Sequence, residues 1–449
     1  MDPPIGEAIV TGKTFVEKDG EFELVGQKDG VGKGVIGIDT AVHLAPIENV
    51  FCLGPERGII EAANAIFCGG YHDILAMMNS GLTLQYKIQM RAWNRARLLW
   101  GYLLRKSRLS ALPVEYIVET TAKCNIYCPM CPRETHKQPK EDMSDQVFEQ
   151  LVRESSESAE HMMLIGLGEP LLDNKIYQRI EFCARHKIST LLSTNGTLLD
   201  EAAAERLLKT PIEHITLSFD GSTKESFEFY RKGAKFDRVR ENFVRFAKMK
   251  AAIGAKVQVV VQMVRMEKNW DEVGEFEKFW KAIPGVDQTR VKADETNLMS
   301  PDGGHAAGDF AHPCHYLWRG PMYVKQNGDV YPCCQSYMLD GKPVGRIGEQ
   351  PLEAIWNSAE MERMRGLHTS GRAGEIDICG KCRTAIPHPV LVAGSLLFHG
   401  RTVRKFLPWV EKLAYWSLLP VQLLRPQKQE RPPGKRPSDE LVQISEPKD

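Results

Sequence analysis

The chain has 449 residues, more than one ordinary domain requires, and 43% of them are apolar while 26% are charged, which predicts a folded, soluble protein. Basic and acidic residues are equal in number, so the net charge indicates no nucleic-acid partner. We expect a cytoplasmic protein, because we find neither a secretory signal nor an apolar run long enough to span a membrane. In that reducing compartment, the eleven cysteines favour metal ligation over disulfides.

Residues 1–86 form an N-terminal extension whose function the sequence does not indicate. Short strand-like runs at residues 21–26 and 33–38 precede a helical pattern at residues 56–66, so we predict an α+β unit. Residues 30–34 resemble a phosphate loop, but glycine stands where Ser or Thr would hold magnesium. We interpret these glycines as turn residues.

Residues 87–112 predict a basic amphipathic helix. Seven basic residues and no acidic residue lie between positions 87 and 108. Trp93 and Trp100 are seven residues apart, which places them on one face of the predicted helix.

Residues 113–296 alternate strand and helix six times. The strand candidates are Val114–Glu119, His161–Leu167, Ile188–Ser193, His214–Phe219, Lys256–Val264 and Asp287–Lys292. Helical patterns lie between them, for example at Asp145–Ser156, Lys175–His186 and Arg238–Ala252. Alternating strands and helices predict a parallel sheet with helical crossovers. Six units are too few for a closed barrel, so the expected fold class is α/β, a partial (β/α)6 TIM-type barrel.

Three cysteines follow the first strand of this barrel in C-x3-C-x2-C spacing. Cys124, Cys128 and Cys131 lie on one loop, and thiolates are the ligands of 4Fe-4S clusters. Three thiolates leave one iron without a protein ligand, which is an open position for chemistry. The alternative is a structural zinc site, but no fourth Cys or His follows at the spacing of a zinc knuckle.

The cysteine motif resembles that of the radical S-adenosylmethionine (SAM) superfamily. Polar or glycine-containing segments at the ends of the next four strands are similar to the superfamily's SAM-binding positions. The residues concerned are Gly166, Gly168, Glu169, Pro170, Thr194, Asn195, Ser218, Asp220 and Gln262. The resemblance implies that the first segment meets the amine of SAM and that Asp220 binds the ribose. In the first segment Leu167 takes the place of a second consecutive glycine.

The resemblance also implies the chemistry. Members of the superfamily transfer one electron from the cluster to SAM, which releases a 5′-deoxyadenosyl radical that removes a hydrogen atom from substrate. A reductase such as flavodoxin or ferredoxin is the implied electron donor. The cofactors carry the difficult step, and the protein orients them.

Residues 297–390 contain a second group of cysteines. Cys314, Cys333, Cys379 and Cys382 occur with a glycine, Gly328, five positions before Cys333. This arrangement resembles the SPASM module, or its shorter twitch form, and implies one auxiliary 4Fe-4S cluster. Structural zinc is the alternative for four cysteines. Cys334 competes with Cys333 for one ligand position, and the glycine spacing favours Cys333.

Residues 391–424 predict further amphipathic helices, and residues 425–449 have the composition of a disordered tail. Trp409 and Trp416 lie at helical spacing among basic residues, as Trp93 and Trp100 do. Basic helices with aromatic anchors bind anionic membrane surfaces, which would place the protein peripherally at the inner face of the membrane. Such stripes also pack against protein cores, and the sequence leaves both interpretations open.

We therefore expect a radical SAM oxidoreductase that oxidises or rearranges a small or lipid-linked molecule. A peptide-modifying maturase and a non-catalytic iron–sulfur electron-transfer protein are the alternatives. The SAM-binding positions argue against the last one, because electron transfer requires no SAM site.

Overall fold

The computed structural model describes residues 7–10, 13–18, 21–27, 71–134, 139–293, 312–338, 341–382 and 389–397. The chain divides into two compact units, residues 1–77 and residues 78–449. The predictions for residues 30–38, 56–66 and 398–449 lie outside the described residues.

Three antiparallel strands are described in the first unit. They are β1 (Glu7–Val10), β2 (Lys13–Lys18) and β3 (Glu21–Gln27), and they lie in that order in the sheet. The predicted strand at residues 21–26 corresponds to β3.

Within the described residues, the second unit contains nine strands and most of the helices. Its strands are β4 (Glu115–Val118), β5 (His161–Leu164), β6 (Ser189–Thr194), β7 (His214–Ser218), β8 (Gln258–Arg265), β9 (Gln288–Ala293), β10 (Met322–Val324), β11 (Asp329–Tyr331) and β12 (Gly345–Arg346). The described helices are α1 (Tyr71–Leu103), α2 (Asp145–Ser155), α3 (Ile176–Arg185), α4 (Glu201–Leu208), α5 (Lys224–Tyr230), α6 (Phe236–Ile253), α7 (Val273–Lys281), α8 (Tyr316–Arg319), α9 (Cys334–Met338), α10 (Leu352–Trp356), α11 (Ala359–Thr369), α12 (Asp377–Lys381) and α13 (Pro389–Leu397).

The six predicted barrel strands are confirmed as β4 to β9. They pair in parallel in chain order, with Glu115 opposite His161 and His161 opposite Ser189. The sheet is open, because β9 lies at one edge and β12 at the other. This arrangement confirms the partial barrel.

The C-terminal domain continues the barrel sheet. Strand β10 pairs in parallel with β4, so that Tyr323 lies opposite Ile117, and β11 and β12 then add in antiparallel order. The two cysteine-bearing regions therefore share one sheet.

Local sequence explains the barrel elements. Every residue of β7 is buried, as expected for a parallel strand covered on both faces. Ser144, Asp200 and Thr223 cap the starts of α2, α4 and α5, because each side chain accepts a hydrogen bond from a free backbone N–H of the first helical turn. Because strands β4 to β9 are parallel, their carboxyl ends lie at the same edge of the sheet, and the predicted site residues lie at or near these ends.

Helix α1 begins before the predicted helix and ends at Leu103. Its basic face packs on the barrel: the Arg91 guanidinium donates to the carbonyl oxygens of Lys187 (2.7 Å) and Ser156 (3.0 Å). Arg95 forms an ion pair with the buried Glu160. Of the two interpretations left open by the sequence, packing against the core therefore holds for one face of this helix.

The opposite face of α1 is exposed. Trp93 and Trp100 are 60% and 59% exposed, and Leu103 and Leu104 lie nearby with about half of their surface exposed. An open cleft of about 730 Å³ lies beside them. Its lining includes Arg97 of α1, and Lys106 and Arg108 of the segment that follows the helix. The two tryptophans are therefore available to a partner.

Candidate active site

The first cysteine loop follows β4 directly. Cys124, Cys128 and Cys131 lie within eight residues, and Arg133 holds the loop by donating to the carbonyl oxygens of Cys124 (3.2 Å) and Ile126 (3.1 Å). Among the described residues, no three His, Cys, Asp or Glu side chains could together hold a single metal ion. The ligands of a four-iron cluster need not converge on one point, because each thiolate binds a different iron.

Burial and a nearby cation set the charge of this loop. Burial raises the pKa of Cys128 to about 12 and also raises the pKa of Cys131, whereas the guanidinium of Arg231 opposes both shifts. Although burial opposes its charge, Asp220 and Cys128 raise the pKa of Arg231. A fixed positive charge beside the thiols of Cys128 and Cys131 offsets the negative charge of bound thiolates.

The segment after β5 packs directly against the loop. A Cβ at Gly168 would lie 2.1 Å from the carbonyl oxygen of Thr121, so no side chain is accommodated there. Glu169 donates its backbone N–H to the carbonyl oxygen of Lys123 at 2.7 Å, and Pro170 begins a short 3-10 turn. The predicted SAM-binding segment and the cysteine loop therefore form one surface.

Glu169 ties this segment to the end of β6. Its carboxylate accepts hydrogen bonds from the hydroxyl of Thr194 (2.7 Å) and from the backbone N–H groups of Asn195 (2.7 Å) and Leu171 (3.1 Å). Burial raises the pKa of Glu169, and the bonds from Asn195 and Thr194 oppose that shift. The amide of Asn195 in turn lies 3.9 Å from the Cys124 sulfur. Three predicted residues thus meet beside the first cysteine.

The ends of β7 and β8 complete the site. Ser218 lies opposite Gln262 in the sheet, and Asp220 is fully buried. One carboxylate oxygen of Asp220 accepts from Arg231 at 2.7 Å, and the other accepts from the backbone N–H of Val264 at 2.7 Å. The ribose-binding role of Asp220 stays a prediction, and in this structure its carboxylate also orients Arg231.

The second group of cysteines forms a separate site. Burial raises the pKa of Cys314 to about 12, and the nearby thiols of Cys382 and Cys334 raise it further. Burial also raises the pKa of Cys333, with smaller contributions from Cys334, Cys314 and Cys379. The backbone N–H of Ser336 lies 3.4 Å from the Cys333 sulfur, as expected for a donor to a thiolate ligand. The choice between Cys333 and Cys334 remains a prediction in favour of Cys333.

Sequence reasoning did not find several residues of the two sites. His368 accepts from the backbone N–H of Cys314 at 3.3 Å, and its other ring nitrogen lies 3.5 Å from the Cys379 sulfur. Arg231 and the fully buried Glu119 were also missed. Glu119 precedes Cys124 by only five residues. An acidic residue directly after an apolar strand was the sequence signal that could have identified it.

No helix within the described residues combines the length and hydropathy that a bilayer-crossing segment requires.

Two family models match this chain, and each covers one of the two cysteine sites. A model of the radical SAM superfamily matches residues 118–279, and a model of SPASM, an iron–sulfur cluster-binding domain, matches residues 314–383. The chain is similar to a PqqA peptide cyclase of Granulibacter bethesdensis, with 31% identity over 26% of this chain and 31% of that protein. It is also similar to the mycofactocin maturase MftC of Mycobacterium tuberculosis, with 26% identity over 33% of this chain and 38% of that protein. The chain thus spans about a third of the length of these relatives.

Two solved structures are also similar. Native anSMEcpe with bound AdoMet has 18% identity and a TM-score of 0.46, over 68% of this chain and 99% of that one. Streptococcus suis SuiB bound to S-adenosylmethionine has 16% identity and a TM-score of 0.45, over 60% of this chain and 70% of that one.

Proposed function

The chain belongs to the radical SAM superfamily and carries a SPASM domain, and from this premise we propose that it cleaves SAM and uses the resulting radical to remove a hydrogen atom from a substrate. The radical SAM domain binds a 4Fe-4S cluster and SAM, and the SPASM domain binds an auxiliary iron–sulfur cluster. The observation that carries the proposal is the single continuous surface formed by the cysteine loop, Gly168, Glu169 and Asn195.

The residues of this surface have distinct tasks. We assign the first cluster to Cys124, Cys128 and Cys131, and the auxiliary cluster to Cys314, Cys333, Cys379 and Cys382. When bound, the first cluster would supply the one electron whose transfer to SAM breaks a carbon–sulfur bond of SAM. Arg231 offsets thiolate charge, and Glu169 fixes the two segments on which SAM would rest. A reductase such as flavodoxin or ferredoxin would supply the electron.

Formation of 5′-deoxyadenosine tests the proposal. Anaerobically reconstituted protein reduced with dithionite should release it from SAM, and a variant with Cys124, Cys128 and Cys131 changed to Ala should not. Cys183→Ala is the matched control, because Cys183 is a buried thiol on α3 that packs against Met162. Wild-type protein that holds both clusters but leaves SAM intact would favour the non-catalytic iron–sulfur alternative.

A peptide is the first candidate substrate. The relatives named PqqA peptide cyclase and mycofactocin maturase support this class, over about a quarter to a third of the present chain. We propose a peptide that is oxidised or rearranged near the auxiliary cluster.

A lipid-linked molecule is the second candidate, supported by the exposed face of α1. Trp93 and Trp100 project from a helix whose opposite face is bound to the barrel, and Arg97 and Lys106 line the adjoining cleft. Indole rings favour the interface of a bilayer, and basic residues favour anionic headgroups. We propose that this face rests on the anionic inner surface of the membrane. Because Arg91 and Arg95 bind the barrel, fewer basic residues reach the lipid than the sequence suggested.

Two measurements separate these candidates. If the substrate is a peptide, a protease-sensitive fraction of cell extract should stimulate 5′-deoxyadenosine release, whereas a chloroform-soluble fraction should do so for a lipid. Flotation with liposomes tests the membrane contact: binding should rise with anionic lipid, fall with salt, and weaken in Trp93→Ala with Trp100→Ala. Phe279→Ala is the control, because Phe279 is an exposed aromatic residue on α7, away from this face. Protein that never floats would remove the support for membrane contact.

A further inference from the structure

A buried carboxylate lies between the two cysteine sites. Glu119 is fully buried just after β4, and its backbone N–H donates to the carbonyl oxygen of Val324 on β10. Its Oε2 accepts one hydrogen bond from the backbone N–H of Leu167 (2.9 Å) and another from the hydroxyl of Tyr323 (2.6 Å). Oε2 of Glu119 therefore binds Leu167 of the barrel and Tyr323 of the C-terminal domain.

The bond to Leu167 fixes the segment that we propose to bind SAM. Leu167 lies between Gly166 and Gly168, and a Cβ at Gly166 would lie 2.4 Å from the Cγ of Glu119. The segment therefore lies directly on the Glu119 side chain, and its backbone amide donates to the Glu119 carboxyl group. A buried N–H that loses its partner is destabilising, so loss of this bond should release the segment.

The bond to Tyr323 extends to the auxiliary site. The ring of Tyr323 stacks on Tyr337, with 4.8 Å between ring centroids and 22° between planes. Tyr337 belongs to α9, which begins at Cys334, immediately after the proposed ligand Cys333. Burial, together with Glu119, raises the pKa of Tyr323 well above its ordinary value, so the hydroxyl keeps the proton that it donates.

The same tyrosines separate the two sites. Cys131 and Cys334 both pack against one apolar cluster, which consists of Ile117, Leu167, Tyr323, Tyr331 and Tyr337. Leu167 is thus bonded to Glu119 through its backbone and packed against the tyrosines through its side chain. A shift of α9 would therefore affect Leu167 in two ways. One is through the hydrogen bonds of Tyr323 and Glu119, and the other is through the packing of the tyrosine rings.

We propose that Glu119 and Tyr323 are positioning residues through which an occupied auxiliary site raises the affinity of the protein for SAM. This inference rests on the proposed function, because it assumes that residues 166–169 bind SAM. Ligation at Cys333 fixes α9, α9 fixes the ring of Tyr323, and the Tyr323 hydroxyl fixes the carboxylate that holds Leu167. The two sites therefore have a coupling free energy, which a double-mutant cycle measures.

The cycle compares SAM dissociation constants of anaerobically reconstituted proteins. Cys379→Ser with Cys382→Ser removes the auxiliary site, Tyr323→Phe removes only one hydroxyl, and iron content verifies the loading of each protein. We expect each change alone to weaken SAM binding about tenfold, and both together to weaken it no further. Tyr331→Phe, which removes a hydroxyl from the same tyrosine cluster, is the control and should leave the affinity within about twofold.

A second measurement needs neither cluster. In cluster-free protein, amide hydrogen exchange of peptides that contain Leu167 should accelerate in Tyr323→Phe and in Glu119→Ala, but not in Tyr331→Phe. Unchanged exchange in both variants would overturn the proposal, as would additive losses of SAM affinity in the cycle. If the wild type binds no SAM while exchange still accelerates, the proposed function fails and the contact between the domains stands.

Discussion

Glu169 offers the sharpest test of how the site is held together. Glu169→Gln keeps the size of the side chain but replaces one acceptor oxygen by an amide that can only donate. At the wild-type residue, one oxygen accepts from Thr194 and Leu171, and the other accepts from Asn195. The best orientation of glutamine keeps the first pair of bonds and places its amide against the N–H of Asn195.

The expected loss follows from that geometry. One buried donor without a partner costs about 1–3 kcal/mol, so Glu169→Gln should lower the free energy of unfolding by about that amount. Glu169→Ala leaves three donors without their partner and should cost more, about 3–5 kcal/mol, because water entering the space restores part of the bonding.

Urea denaturation of cluster-free protein under anaerobic conditions measures both losses, with tryptophan fluorescence reporting on the buried Trp280 and Trp318. Glu349→Gln is the matched control, because Glu349 is 62% exposed and its ion pair with Arg346 lies at the surface, where the expected change is within about 0.5 kcal/mol. If Glu169→Gln unfolds at the same urea concentration as the control, the three bonds do not hold the site and the reasoning is wrong.

Three further predictions concern single positions. Gly168→Ala should abolish SAM binding and lower the melting temperature, because its Cβ would lie 2.1 Å from the Thr121 carbonyl oxygen; SAM binding at wild-type affinity would contradict this. Cys333→Ala should lose the auxiliary cluster, about half of the iron, whereas Cys334→Ala should keep it in an iron assay; the opposite result would move the ligand to Cys334. Arg91→Met should cost about 2–4 kcal/mol in the same urea assay, since its guanidinium binds carbonyl oxygens at the barrel surface; an unchanged midpoint would show that α1 is held by other contacts.

The barrel was predictable because its signals are local. The strand candidate His214–Phe219 corresponds to β7, and Asp145–Ser156 corresponds to α2, each within one residue of the predicted end. Short apolar runs separated by amphipathic patterns fix such elements without knowledge of distant residues. The strand ends then placed the predicted polar residues at one edge of the sheet, where the structure has them.

The remaining features depend on residues far apart in the chain. Tyr323 binds Glu119 across 204 residues, and no local pattern marks either as the partner of the other. Arg231 was missed because a single arginine after a short helix does not differ from a solvated one until Asp220 is placed beside it. For α1, the periodicity indicated two faces but not that Arg91 would bind the barrel while Trp93 stayed exposed.

The pairing of β10 with β4 also affects how the two domains could be separated. If the chain were cut after β9, the first barrel strand would lose its neighbour and become an edge with free backbone N–H and carbonyl groups. Unprotected edges of this kind recruit strands from other molecules. Besides carrying cysteines, the SPASM region therefore covers an edge of the barrel sheet, and we expect the barrel produced without it to self-associate.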